Sequence, residues 1–218
     1  LAEAAGSRSQ IGQATLPEAV FSGGIETIIQ RRLDKIPEHY HPILMLVAVA
    51  GRQLDPALLS TMIAEDDFED FIQKGADAAV FDIQDGQWQF SHDKLREYIL
   101  SSLSDKRKML LNQQVAEAIE TVYPDELDDY AARLSKHWHE SGQAEKELYY
   151  IQIAGEQAAA TSSYRESITY FERALSLYSN QPEAQANTYI QMGLSLSRLG
   201  FNDPAKDAVR NALALLEW

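Results

Sequence analysis

The sequence predicts a mainly α chain with one small β-hairpin, ending in an array of helical hairpins. Three observations lead there. Apolar residues recur at three- and four-residue steps along most of the chain, the period of one helix face. Around Asp85 and Gly86 the pattern becomes alternation, with Val80, Phe81 and Ile83 on one side and Trp88 and Phe90 on the other, a hairpin signal. Beyond Gly142, small residues repeat at a fixed interval of 38 residues.

Residues 1–15 are small and polar, with Gly6, Ser7, Ser9 and Gly12, and read as a linker or the frayed end of a preceding domain. Ile25, Ile28, Ile29, Leu33 and Ile36 then mark one helix face, ended by Pro37. His41 to Ala50 is apolar nearly all round and predicts a buried central helix, stopped at Gly51. Asp55 and Pro56 are an N-cap and a first helical position, opening a short helix through Met62. Asp66 to Asp77 is a fourth helix with Phe68, Phe71 and Ile72 inward. Short helices followed by a hairpin at 80–90 is the order of a winged helix, with the hairpin as the wing. Ser91 is expected to cap a helix from Lys94 to Leu103, and another runs from Asp105 to about Val122. Pro124 is expected to open the next, its first turn carrying Asp125, Glu126 and Asp128, and to run to Ser141.

Gly155, Ser167, Phe171 and Ala174 stand at spacings of 12, 16 and 19 from the glycine, and Gly193, Ala205, Val209 and Ala212 repeat them. Small residues at such points let two antiparallel helices approach closely, while the bulky member fills the seam. A hairpin of this kind cannot bury its second face alone, so such units stack. The expected organisation is therefore a linker at 1–15, a winged-helix domain at 16–104, a connecting helical hairpin at 105–142, and two repeats at 143–218. The first residue is not methionine, and Trp218 closes an apolar pattern without a capping residue, so both ends read as cut from a longer protein.

Composition narrows the function classes. The 218 residues include no cysteine, which removes disulfides, thiolate catalysis and cysteine-ligated zinc, and fits a cytoplasmic setting. Ile43 to Ala50 is the longest apolar stretch, far short of the ~20 residues that cross a bilayer, and Leu1 to Thr15 lacks the apolar core of a signal peptide. Neither a membrane partner nor export is expected. A net charge of -14 repels phosphate backbones, so nucleic-acid binding would need a local basic patch. The helix that would enter a DNA groove carries Glu65, Asp66, Asp67, Glu69 and Asp70 against Lys74, and the wing adds Asp82 and Asp85. No nucleic-acid partner is expected from it. The acidic run reads either as a solvated helix start or as a protein-facing surface.

The repeat pattern resembles the tetratricopeptide repeat, with a loop around Ser179 to Glu183 that lengthens the usual ~34-residue period. A second resemblance covers most of residues 30–175. Its blocks are Arg32-Leu33-Asp34-Lys35-Ile36-Pro37, Leu46-Val47-Ala48-Val49-Ala50-Gly51-Arg52-Gln53-Leu54-Asp55 and Phe90-Ser91-His92-Asp93-Lys94-Leu95-Arg96-Glu97. Arg107 and Val115-Ala116-Glu117-Ala118-Ile119-Glu120 continue it. Together these are similar to the winged-helix region that follows the nucleotide-binding domain in signal-transduction (STAND/AAA-type) ATPases, the class of bacterial ATPase-coupled cyclases, kinases and transcription regulators. The resemblance implies that His92 touches the diphosphate of a nucleotide held by an upstream domain, with Asp93 orienting the segment. The phosphate-cradling glycine-lysine loop occurs nowhere in the chain. ATP or ADP would therefore belong to the parent protein, and no cofactor is expected in this fragment. Taken alone, His92 reads equally as an N-terminal helix residue bonding to backbone.

Other residues carry weaker chemistry. His137 and His139 flank Trp138, but positions two apart on a helix diverge, so no metal site is expected. Asp128 and Asp129 are adjacent rather than facing, and no serine lies in a nucleophile elbow, so no catalytic residue is assigned. Lys106, Arg107 and Lys108, with Lys94 and Arg96, either pair with an acidic partner domain or are a solvated face. In the repeats, the first helix of each hairpin is expected to turn Tyr149, Gln152, Glu156 and Ala160 toward a concave groove in one copy. Asn187, Ile190, Leu194 and Arg198 would do so in the other. These would touch a protein or peptide partner, or else pack on the next helical pair or face water. The expected function is a non-enzymatic regulatory fragment that gates an upstream nucleotide-binding domain and senses a partner. The alternatives are a plain assembly scaffold and a DNA-binding regulator.

Overall fold

The computed structural model describes residues 18–61 and 65–216, with side chains from 24 to 61 and from 67 to 216. The linker at 1–15, the helix end at Met62, the carboxylates of Glu65 and Asp66, and Trp218 lie outside the described residues. Among the described residues the fold is mainly helical with one two-stranded antiparallel sheet, and the chain divides into two compact units, Leu1–Leu103 and Ser104–Trp218.

The first unit runs α1 (Glu18–Leu33), a 3-10 turn (Glu38–Tyr40), α2 (His41–Ala50), α3 (Pro56–Ser60), α4 (Glu65–Asp77), β1 (Phe81–Gln84), β2 (Gln87–Phe90) and α5 (Asp93–Ser102). Its centre is α2, where Leu44, Leu46, Val47, Ala48 and Val49 are buried. Arg96 of α5 donates from Nε to the Ala48 carbonyl at 2.7 Å, serving an acceptor that the last turn of α2 leaves open. Asp55 caps α3 by accepting from the Leu58 amide at 3.1 Å, with Pro56 at the first helical position.

The turn between the strands places Asp85 and Gly86 both at positive φ, the geometry that a two-residue hairpin needs. It sets the register Phe81↔Phe90 and Ile83↔Trp88. Phe81 and Phe90 face inward and meet at 5.2 Å, and Phe71 of α4 meets Phe81 at 5.4 Å. Gly75 lets that ring lie against α4, since a Cβ there would fall 2.1 Å from Phe81 Cδ2. Gln53, between α2 and α3, bridges Gln89, with Leu54 donating to the Trp88 carbonyl and Phe90 to that of Arg52. A third extended segment therefore lies along β2.

Two expectations for this unit are corrected. Ile25 and Ile28 do not join the core: they are 47% and 54% exposed, while Ile29, Leu33 and Ile36 are buried. The stretch of α5 beside Ile25 carries Lys94 and Glu97, which pair with each other, along with Tyr98 and Ser101, and among the described residues it leaves Ile25 half exposed. Ser91 does not cap α5. Its hydroxyl donates to the Ala79 carbonyl at 2.8 Å, an acceptor shared with Arg32, and His92 takes the N-cap position.

The second unit is a succession of helices: α6 (Asp105–Val122), α7 (Ala131–Glu140), α8 (Ala144–Ala160), α9 (Tyr164–Leu177), α10 (Pro182–Arg198) and α11 (Asn202–Leu216). Each packs on the next in chain order. The helix expected from Pro124 begins instead at Ala131. Residues 123–130 close as turns, with Glu126 donating to Tyr123, Asp129 to Glu126 and Ala131 to Asp128. Tyr130 stacks on Tyr123 at 4.5 Å, folding this aspartate-rich segment back on the end of α6. The acidic first turn of that expected helix is therefore a loop, and α7 begins without acids.

Gly155 and Gly193 behave as the repeat implies. A Cβ on Gly155 would lie 2.6 Å from Phe171 Cε1, and one on Gly193 would lie 3.3 Å from the Ala205 carbonyl. Close approach at these points sets α8 against α9 and α10 against α11.

Candidate functional site

In the first unit His92 is exposed, stands at the N-cap of α5 in extended conformation, and makes no capping bond through its side chain. Its carbonyl accepts from Leu95 at 3.0 Å, so the backbone is fixed while the imidazole projects into solvent. The alternative of a side chain spent on backbone is thereby corrected. Asp93 pairs with Arg52 Nη1 at 3.3 Å, tying the start of α5 to the segment between α2 and α3. Both partners are about half exposed, so the pair orients more than it stabilises.

The acidic helix α4 presents Asp67, Glu69 and Asp70 to solvent. Asp70 accepts from the Tyr40 hydroxyl at 2.7 Å, and burial together with that carboxylate pushes the Tyr40 phenol up to about 12. Of the bases named with the cluster at 106–108, Arg96 is spent on Ala48 and Lys94 on Glu97, while Lys106 and Arg107 are exposed.

In the second unit the residues predicted for a partner groove divide. Tyr149, Glu156 and Ala160 of α8 and Asn187, Ile190, Leu194 and Arg198 of α10 are all exposed. Gln152 is not available. It donates to the Tyr178 hydroxyl and lies 3.4 Å from the Thr188 hydroxyl, in the seam between the first hairpin and α10. Ser167 and Ser195 bond at 3.1 Å in the same seam, buried. Periodicity put Gln152 on the face turned to the concave groove, but α10 covers that part of it.

Sequence spacing missed the strongest polar feature of this unit. Glu147 of α8 is buried, and Arg173 of α9 donates to it from Nε at 2.6 Å and from Nη2 at 3.0 Å. Nδ1 of His139 on α7 lies 2.9 Å from Arg173 Nη2 and 3.2 Å from Glu147 Oε2. With its proton on Nε2 the neutral imidazole accepts from Arg173 there, and with a proton on Nδ1 it donates to Glu147. Burial alone would raise the Glu147 carboxyl. The hydrogen bonds from Arg173 and His139 outweigh it and hold the group below the usual carboxylate range. A second cluster joins α6 to α8, where Glu120 accepts from Lys146 at 2.9 Å and from Tyr150 at 2.7 Å.

His137 and His139 diverge: His137 is buried with Nδ1 2.8 Å from Asn112 Oδ1, whereas His139 joins the Glu147 cluster. Among the described residues no group of three or more histidines and carboxylates is placed to hold a metal. No helix among them is long and apolar enough to cross a membrane. No family model matches the chain. No characterised protein matches it in sequence.

Proposed function

We propose that this chain is a non-enzymatic regulatory and protein-interaction module. Its first unit is a winged helix that gates an upstream nucleotide-binding domain, and its second is a right-handed tetratricopeptide-like array that receives a protein or peptide signal. The observation that carries the reading is the set of exposed side chains on the first helices of the two repeated hairpins. Tyr149, Glu156 and Ala160 on α8 match Asn187, Leu194 and Arg198 on α10 across the 38-residue interval, with Ile190 exposed beside them, on a scaffold whose seams are closed by Gly155 and Gly193. Such a scaffold presents side chains in a fixed ladder, which is how stacked hairpins recognise extended or helical segments.

The winged-helix part of the reading is supported by the order of α2, the Gln53 segment, α3, α4 and the β1–β2 hairpin, with Gln53 bridged to Gln89. A gate also needs a group that can be released, and the imidazole of His92 is held at a fixed backbone position with its side chain free of a capping bond. An imidazole donating to a phosphate oxygen of an upstream nucleotide would bias a closed state, and a few kcal/mol of differential binding is enough to switch it.

Hydrolysis of ATP by the purified chain tests the non-enzymatic claim: background turnover is expected, and activity that follows the chain through purification refutes it. In a protein that carries an upstream nucleotide-binding domain, His92→Ala should alter resting activity. Unchanged resting activity would leave an assembly scaffold without nucleotide coupling.

A further inference from the structure

Between the end of α1, the start of α2 and the end of α5, the first unit holds a cleft of about 250 Å³. Its floor is apolar, made of Leu33, Leu44 and Ile99, all buried members of the core. Around that floor stand the polar side chains of Gln30, Asp34, His41, Tyr98 and Ser102. An apolar floor beneath a few convergent polar groups is the usual make-up of a small-molecule site, and this one is sized for a small ligand.

The hydrogen bonds among these groups decide what chemistry fits. The Tyr98 hydroxyl donates to Gln30 Oε1 and the Ser102 hydroxyl to the Ile99 carbonyl at 2.7 Å, so each has spent its proton and keeps lone pairs. His41 Nε2 stands 3.1 Å from the Ile36 carbonyl, which only accepts, so that nitrogen carries the proton and Nδ1 of the neutral ring is left as an acceptor. Gln30 Nε2 donates to Asp34 Oδ1 at 2.6 Å, and Asp34 has no ion-pair partner among the described residues. Against these acceptors stands the second amide proton of Gln30, and no described lysine or arginine lines the cleft. Helix ends add to the bias. Gln30 and Leu33 belong to the last turn of α1, and Ile99 and Ser102 to the last turn of α5, so two negative dipole ends converge here. The start of α2 opposes them, but the His41 amide is already bonded to the Glu38 carbonyl and Pro42 has no N–H.

We propose that this cleft binds a small organic cation, a primary amine on an apolar body. An ammonium group has three donors and no acceptor, the complement of what the rim leaves unspent. It donates to the Asp34 carboxylate and to the neighbouring lone pairs of His41 and Tyr98, while the apolar body lies on Leu33, Leu44 and Ile99. Such a ligand touches α1, α2 and α5 together. The site is distinct from His92, which stands at the opposite end of α5, and from the groove of the second unit.

Titration of the isotope-labelled 218-residue chain with phenethylamine, followed through its amide chemical shifts, tests the proposal. The expected result is a saturable shift centred on residues 30–34, 41–45 and 98–102. Phenethyl alcohol, nearly the same in size and uncharged, should bind at least about tenfold more weakly, and the carboxylate hydrocinnamate more weakly still. Asp34→Asn should weaken phenethylamine at least about tenfold. Asp34 is exposed and an asparagine still accepts from Gln30, so thermal unfolding of the variant should match that of the unaltered chain. Asp77→Asn is the control, since Asp77 accepts from Gln73 at 2.8 Å over the same four-residue spacing but does not line the cleft. Its affinity should be unchanged. Equal binding of the amine and the alcohol, tighter binding of the carboxylate, full affinity in Asp34→Asn, or no saturable shift at these residues would each overturn the proposal.

Discussion

Gly155 lies so close to the ring of Phe171 that a Cβ at that position would fall 2.6 Å from Cε1 and 2.9 Å from Cδ1. Phe171 is buried between helices and has nowhere to move. Alanine is favoured over glycine inside a helix by about 1 kcal/mol, but overpacking a closed seam costs about 1–3 kcal/mol. Gly155→Ala should therefore lower stability, by up to ~2 kcal/mol in urea unfolding. At Gly193 the nearest atoms stand at 3.3 and 3.4 Å, so Gly193→Ala should be close to neutral.

The Glu147–Arg173 pair predicts a strong asymmetry between single and double changes. Arg173→Leu leaves the Glu147 carboxylate buried with only His139 beside it, a loss on the order of 3 kcal/mol. Glu147→Gln should cost less, because Arg173 is 41% exposed and can turn to water. Together the two changes should cost less than the sum of the single losses, and a double-mutant cycle followed by chemical unfolding measures the coupling.

The same carboxylate predicts the acid side of the stability profile. Its folded pKa is depressed below the ordinary 4.5, so its contribution is present above that value and is lost as the pH falls through the folded pKa. The urea midpoint should fall as the pH drops below about 4.5, and Glu147→Gln should flatten that part of the curve. A curve of equal slope in the variant would place the acid sensitivity elsewhere.

His92 predicts a functional change without a structural one. Its side chain makes no capping bond, so His92→Ala should shift stability by no more than about 0.5 kcal/mol. Arg52→Ala removes a half-exposed ion pair and should cost under about 1 kcal/mol. Thermal unfolding of both variants checks that any altered gating is not misfolding.

Local signals were legible in the sequence. Asp85-Gly86 fixed the hairpin turn, Asp55-Pro56 the start of α3, and the spacing from Gly155 to Phe171 marked the seam. Features that need distant partners were not. Periodicity placed Ile25 and Ile28 on the face of Leu33 but could not show that α5 meets that end with Lys94 and Glu97. Pro124 and its acids look like a helix start, yet Tyr130 stacking on Tyr123 favours turns. Gln152 lies on the expected face, but Tyr178 and Thr188 take it into the seam. Glu147, His139 and Arg173 come from three helices, and no short motif joins them.

The central claim, that the hairpin array presents a partner-binding ladder, is tested most directly by selecting peptides from a random displayed library against the purified chain. Peptides selected on the unaltered chain should lose at least about tenfold in affinity, roughly 1.4 kcal/mol, on Tyr149→Ala or Arg198→Glu. Peptides that bind both variants as tightly as the original, or a library that yields no binder, would contradict it.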